Sequence, residues 1–374
     1  AGVQFISYLT LAAASYALPR FTRSLSPLAC SIGCMAGAAM LLLSEYFKSA
    51  FWVLFLGGII VTNIFCAGLN ALWQRVFSSE RAGMCETNII GGTALATLGF
   101  FAVALFPSST RFILAAFVFV PVNWLLLART SASIDYSQPL FADLPRDHHQ
   151  VYASARRNFW RVALCVGCFT FISGVVRPLT LSSAFDTSLV NNLAMIGSLA
   201  AAIALLLLRS RRSFQFDVTI AFRTLFPLMA TGILLIAFMP SWYLQAFGMA
   251  VHLLETLATM LITIQCAQAS RDNGVNPLFL FCYCCTIMVG MNIVGVFANW
   301  LCYSGLPMVP QGISPLVELA LWSLAIMFYL LRRRHENDGL FMDRGSHASI
   351  IEFPSFAASK IPDAHESSQP LSEG

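Results

Sequence analysis

Glu255 and His252 are the residues of this chain best placed to do chemistry. They lie three positions apart within an apolar run, so a helix puts them on one face. Counted from Tyr243, Glu255 is twelve residues along its span, roughly 18 Å at 1.5 Å per residue and near mid-membrane. A lone carboxylate at that depth costs several kcal/mol unless it is protonated or paired, so such groups face a cavity or a partner. The pair could bind a cation, exchange a proton or hydrogen-bond to a ligand. Equally, Glu255 could be a neutral carboxyl satisfied by Gln265 or by a neighbouring helix.

Arg177, immediately before Pro178, offers a different chemistry. At the outer end of a span it either engages an anionic ligand arriving from outside or snorkels to the headgroups, with Asp186 a possible local partner. Glu318 is about six residues into the last span, about 9 Å deep, which suits packing or hydrogen bonding better than proton transfer. Glu86 and Arg81 should form a salt bridge between helix ends. Asn63 and Asn70, seven apart and on one helix face, could line a cavity with Asn292. The remaining amides, Asn88, Asn123, Asn191 and Asn192, are expected to join helices, at about 0.6 to 2 kcal/mol each.

Other chemistries find no pattern. There is no phosphate-binding loop, dinucleotide glycine motif, H-E-x-x-H or nucleophile elbow. The C-x-x-C spacings Cys165/Cys168 and Cys282/Cys285 stand in apolar runs without further ligands, where Cys acts as a small hydrophobe. His148 and His149, although near Asp143 and Asp147, are adjacent and so do not share a helix face. The expectation is no enzyme, no cofactor and no metal.

The elements that must position these residues belong in lipid. Hydrophobic residues make up 57% of the chain and charged ones only 11%, against roughly a quarter charged in soluble domains. Eleven continuously apolar runs can be placed, at about 1–18, 27–44, 50–73, 87–106, 111–128, 159–177, 190–208, 219–239, 243–266, 277–298 and 312–331. Each is close to the roughly 20 residues that cross the hydrocarbon core as a helix, and none alternates as a barrel strand does. Trp52, Trp242, Trp300 and Trp322 stand toward span ends as interface anchors. Gly33/Gly37, Gly57/Gly58 and Gly91/Gly92 permit close helix approach.

Charge orients the bundle. Of the 22 Lys and Arg residues, only Lys48, Arg111 and Arg177 fall in one set of alternate gaps, leaving 19 on the other, cytoplasmic side. The chain then divides into a first membrane half at 1–128, a cytoplasmic linker at 129–158, a second half at 159–331 and a cytoplasmic polar tail at 332–374. Ala1 lies already inside an apolar run without a basic leader, so the first run is expected to be the remainder of a longer membrane part. With one helix added, the scheme is six plus six, a layout known for transporters built from two related halves.

Basic turns recur at matching places: Leu18-Pro19-Arg20-Phe21-Thr22-Arg23 and Leu208-Arg209-Ser210-Arg211-Arg212. The layout resembles the major facilitator superfamily, although the Gly, Asp-Arg and Gly-Arg-Arg elements of that family's turn are missing. Cys- and Phe-rich spans ending in Arg332-Arg333-Arg334-His335 and a polar tail further resemble the membrane half of LuxR-type helix-turn-helix regulators of gut actinobacteria. That resemblance implies sensing. The expected protein is an all-α, multi-pass domain of the cytoplasmic membrane with a cytoplasmic C-terminus. It would sense an unknown small molecule for a one-component transcriptional regulator, with Arg332, Arg333 and Arg334 as the coupling segment. Its partners would be the lipid bilayer and the ligand, and DNA only through a C-terminal domain not present in this chain. The alternatives are a proton- or ion-coupled transporter of a small organic solute and a structural membrane protein without ligand.

Overall fold

The computed structural model describes residues 1–18, 21–136, 138–142, 148–182, 187–210, 218–303 and 313–332. All regular structure among them is helical. In chain order the helices are α1 (Gly2–Ala17), α2 (Phe21–Ser24), α3 (Pro27–Tyr46), α4 (Phe51–Ser79), α5 (Ala82–Ala104), α6 (Ser108–Leu114) and α7 (Val120–Ala132). After them come α8 (Pro139–Ala142), α9 (His149–Ser182), α10 (Thr187–Ser210), α11 (Val218–Ile236), α12 (Ser241–Asn273), α13 (Pro277–Tyr303) and α14 (Ile313–Arg332).

Local chemistry sets the boundaries. Ser26 caps α3, its side chain accepting from the Ala29 N–H at 3.4 Å, while Pro27 occupies the first turn where no N–H is needed. A π-helical turn, Ala115–Phe119, joins α6 to α7 directly before Pro121. Proline cannot donate to the carbonyl four residues back and its ring crowds it, so a widened turn absorbs the mismatch. α12 ends at Gly274, whose φ of 67° is left-handed, a conformation that lacks steric cost only without a Cβ. Asn276 then starts α13: its Oδ1 accepts from the Leu278 N–H at 3.0 Å, and its own N–H donates to the Tyr152 hydroxyl at 2.9 Å.

Eight helices among the described residues are long and apolar enough to cross a membrane: Pro27–Tyr46, Lys48–Ser79, Gly83–Ala104, Thr110–Ala132, His149–Thr180, Ser188–Leu208, Trp242–Asn273 and Pro277–Tyr303. Two shorter apolar helices, Leu225–Ile236 and Pro315–Tyr329, accompany them. All eleven apolar runs are helical, but α1 has 16 residues, about 24 Å at 1.5 Å each and short of a 30 Å hydrocarbon core. The segment 129–158 is not one loop. α7 runs into it as far as Ala132 and α9 begins at His149, so its last ten residues are helix.

The tightest helix seam joins α9 to α13 and is made by small residues. A Cβ on Gly295 would collide with the Phe171 carbonyl and come within 3.2 Å of the Gly174 Cα, so the two backbones nearly touch. Amides lock that seam: Asn292 donates to the Thr170 carbonyl at 2.9 Å and Asn299 to that of Val175 at 3.0 Å. Gly37 and Gly58 do the same for α3 on α4, whereas a Cβ on Gly91 or Gly92 would meet nothing within 4 Å. Helices early and late in the chain meet: α1 packs on α13, α5 on α10 and α12, and α4 on α12 and α13. The largest apolar core is built by α9 to α14, with α5 inserted through Cys85, Ile89 and Ile90.

Candidate functional site

A cavity of about 120 Å³ opens between α9, α10 and α12. α9 contributes Ser173, Val176, Arg177 and Thr180, and α12 contributes Gln245, Gly248, Met249, Val251 and His252. The α9 residues follow the spacing i, i+3, i+4, i+7 of one helix face, as do all the α12 residues but Val251, so each helix turns a mixed polar and apolar stripe toward the same space. α10 closes the third side with Val190, Asn191, Leu193, Ala194 and Met195.

Glycines make the walls thin. A Cβ on Gly248 would reach 3.4 Å from Thr180 Cγ2, so α12 lies against α9 at that level. One on Gly197 would be 2.8 Å from the Met249 carbonyl oxygen, which draws α10 onto α12. Near that contact Ser198 and Thr256 hydroxyls hydrogen-bond at 2.9 Å, and together these contacts fix the two helices that flank the cavity.

Arg177 is exposed at the cavity, and among the described residues its guanidinium has no ion-pair or hydrogen-bond partner. Its carbonyl accepts from Thr180 Oγ1 at 2.8 Å, which commits that hydroxyl's proton to the backbone. His252 stands on the opposite wall, with Nδ1 3.2 Å from Glu255 Oε2. That approach lacks hydrogen-bond geometry, and Glu255 Oε2 is buried without a hydrogen-bond partner among the described residues. The side chains of Asn191 and Gln245 likewise make no hydrogen bond to another described residue. The site therefore gathers a permanent cation, an imidazole, two uncommitted amides and the Ser173 hydroxyl around an apolar floor. That is the make-up of a pocket for a small molecule with a polar head.

The other sequence candidates lie elsewhere. Glu255 adjoins the cavity only through His252. Asn63 donates to the Ile59 carbonyl of its own helix at 2.8 Å, Asn70 to the Tyr8 hydroxyl at 3.0 Å, and Asn292 is taken up by the α9 seam. Glu318 is exposed on α14. Glu86 meets Gln268 Nε2 of α12 at 3.1 Å, while exposed Arg81 lies at the start of α5. Asp186, Arg333 and Arg334 and the side chain of Arg332 lie outside the described residues. Among the described residues no three His, Cys, Asp or Glu side chains converge on a common point.

Sequence reasoning passed over Ser173, Thr180 and Gln245 and read Asn191 as a helix joint. A signal was present: Ser173 and Thr180, like Gln245 and His252, are seven apart and share a face with a residue already singled out. Compared with known proteins, the chain matches no family model and no curated protein.

Proposed function

We propose that this chain is the membrane-embedded sensing domain of a one-component transcriptional regulator, arranged as two six-helix halves of facilitator type. The cavity between α9, α10 and α12 carries the proposal as the place where a small molecule binds. Its output route is short. α9, which bears Arg177, also reaches α14 through Cys168, whose Sγ is 3.1 Å from Met327 Sδ. α14 runs to Arg332. A ligand that prefers one setting of α9 would thereby bias the segment that follows α14, provided its affinity differs between two conformations.

The two-half arrangement is supported by how the helices pair. In this arrangement α1 corresponds to α10, α3 to α11, α4 to α12, α5 to α13 and α7 to α14. Exchanging corresponding helices turns the α1–α13 contact into the α10–α5 contact, and both are present. The same exchange turns α4–α13 into α12–α5 and α3–α7 into α11–α14, and it leaves α4–α12 unchanged; all of these pairs touch. Such pairing is what an axis along the membrane normal requires.

Transport is the second reading, favoured by one observation: the buried Oε2 of Glu255 beside His252 could hold a proton that travels with a solute. Reconstituted vesicles separate the two. The sensor reading predicts ligand binding with no solute flux under an imposed proton gradient. Gradient-driven uptake that disappears in Glu255→Gln would overturn it in favour of transport.

A further inference from the structure

We infer that the cavity takes a small monocarboxylate, its carboxylate held at Arg177 and its short apolar body lying on Val176, Ala194 and Met249; this rests on the reading of the cavity as the ligand site.

Charge points to an anion. A guanidinium is ionised at any physiological pH and presents five N–H donors in a planar fork that matches two carboxylate oxygens. Arg177 spends none of them on another described residue. The amide groups of Asn191 and Gln245 offer further donors on α10 and α12, so an anion here meets donors from three helices. Among the lining residues Arg177 is the single guanidinium, which matches one carboxylate rather than the two of a dicarboxylate.

Size and lining narrow the class. An engineered apolar cavity of about 150 Å³ holds benzene, so a cavity of about 120 Å³ suits a molecule of no more heavy atoms than benzene, such as a four-carbon acid whose carboxylate lies at exposed Arg177. Val176 is buried and Ala194 and Met249 half-buried, which gives the alkyl part a dry surface. An anionic lipid headgroup could reach the same guanidinium. However, Ser173, Asn191, Gln245 and His252 interrupt the walls where an acyl chain would need a continuous apolar slot.

The test uses the full chain in phosphatidylcholine nanodiscs, with radiolabelled butyrate as the probe and butyramide and butylammonium as competitors of the same shape. Saturable butyrate binding is expected, with both competitors at least tenfold weaker than unlabelled butyrate. Arg177→Gln should weaken binding at least tenfold and Arg177→Lys less, with adding phosphatidylglycerol to the disc leaving it unchanged. Equal competition by butyramide would overturn the carboxylate assignment while leaving the cavity as a ligand site. Loss of butyrate binding on adding phosphatidylglycerol would assign Arg177 to lipid. Absence of saturable binding by any probe would overturn both the inference and the reading beneath it.

Discussion

Two kinds of polar side chain stand out among the described residues: those spent on helix seams and those facing the cavity. Asn292 and Asn299 belong to the first kind, since each gives its amide to an α9 carbonyl. Interhelical hydrogen bonds in membranes average about 0.6 kcal/mol and reach about 1.7, because the separated helices find other partners. Asn299→Ala should therefore lower stability by about 1 kcal/mol, seen as a reduced unfolding free energy in mixed micelles, without changing ligand binding. A loss above about 3 kcal/mol would mean that the amide does more than join two helices. Arg177 and His252 belong to the second kind. Their types and depths were legible in the sequence, because charge inside lipid needs a reason. That they share one cavity was not, since it depends on α9 and α12 lying side by side across Gly248. Asn70 shows the converse: its face was readable, but its partner Tyr8, 62 positions away, was not.

At the scale of elements, apolar length located the helices because lipid leaves the backbone no other hydrogen-bonding solution. Glycine spacing said where helices could approach, but not which of them do. Gly33 and Gly37 meet α4 and Gly295 meets α9, whereas Gly91 and Gly92 on α5 meet nothing. Two substitutions exploit the contrast. Gly295→Ala forces the Phe171 carbonyl away and should cost about 1 to 3 kcal/mol through overpacking. Gly91→Ala, with open space around it, should stay within about 0.5 kcal/mol of the parent or gain slightly from helix propensity. Thermal unfolding in one detergent ranks the pair, and equal melting temperatures would contradict the α9–α13 geometry. The start of α9 at His149 escaped the sequence reading for a plain reason: its first turns are polar, so hydrophobic length alone placed them in a linker.

Across the whole molecule, α12 is tied to α4 and α5 at its end opposite the cavity. Gln268 donates to Glu86 at 3.1 Å, and Arg271 Nη1 donates to the Glu80 carbonyl at 2.8 Å, so the end of α12 grips both ends of the α4–α5 turn. Arg271→Ala should release this grip at about 1 kcal/mol, raising hydrogen exchange around residues 82–88 about fivefold. Unchanged exchange there would show that the tie carries no energy. The proposed two-half arrangement starts from the alternating charge and the repeated basic turns of the sequence. The seams α1–α13 and α5–α10 emerged only from the packed helices, because pairing across halves leaves no periodic trace along the chain.

Everything proposed for this protein rests on the α9–α10–α12 cavity as the place where it meets its ligand. Ala194→Trp places an indole in that space, while Leu56→Trp places one on an exposed face of α4, far along the chain from the site. Melting temperatures of the nanodisc-embedded parent and both variants, recorded against a panel of small carboxylates and their neutral isosteres, read binding through its linkage to stability. Compounds that bind should raise the melting temperature of the parent and of Leu56→Trp but not of Ala194→Trp. Shifts of equal size in all three proteins, or none in any, would contradict the cavity as the ligand site.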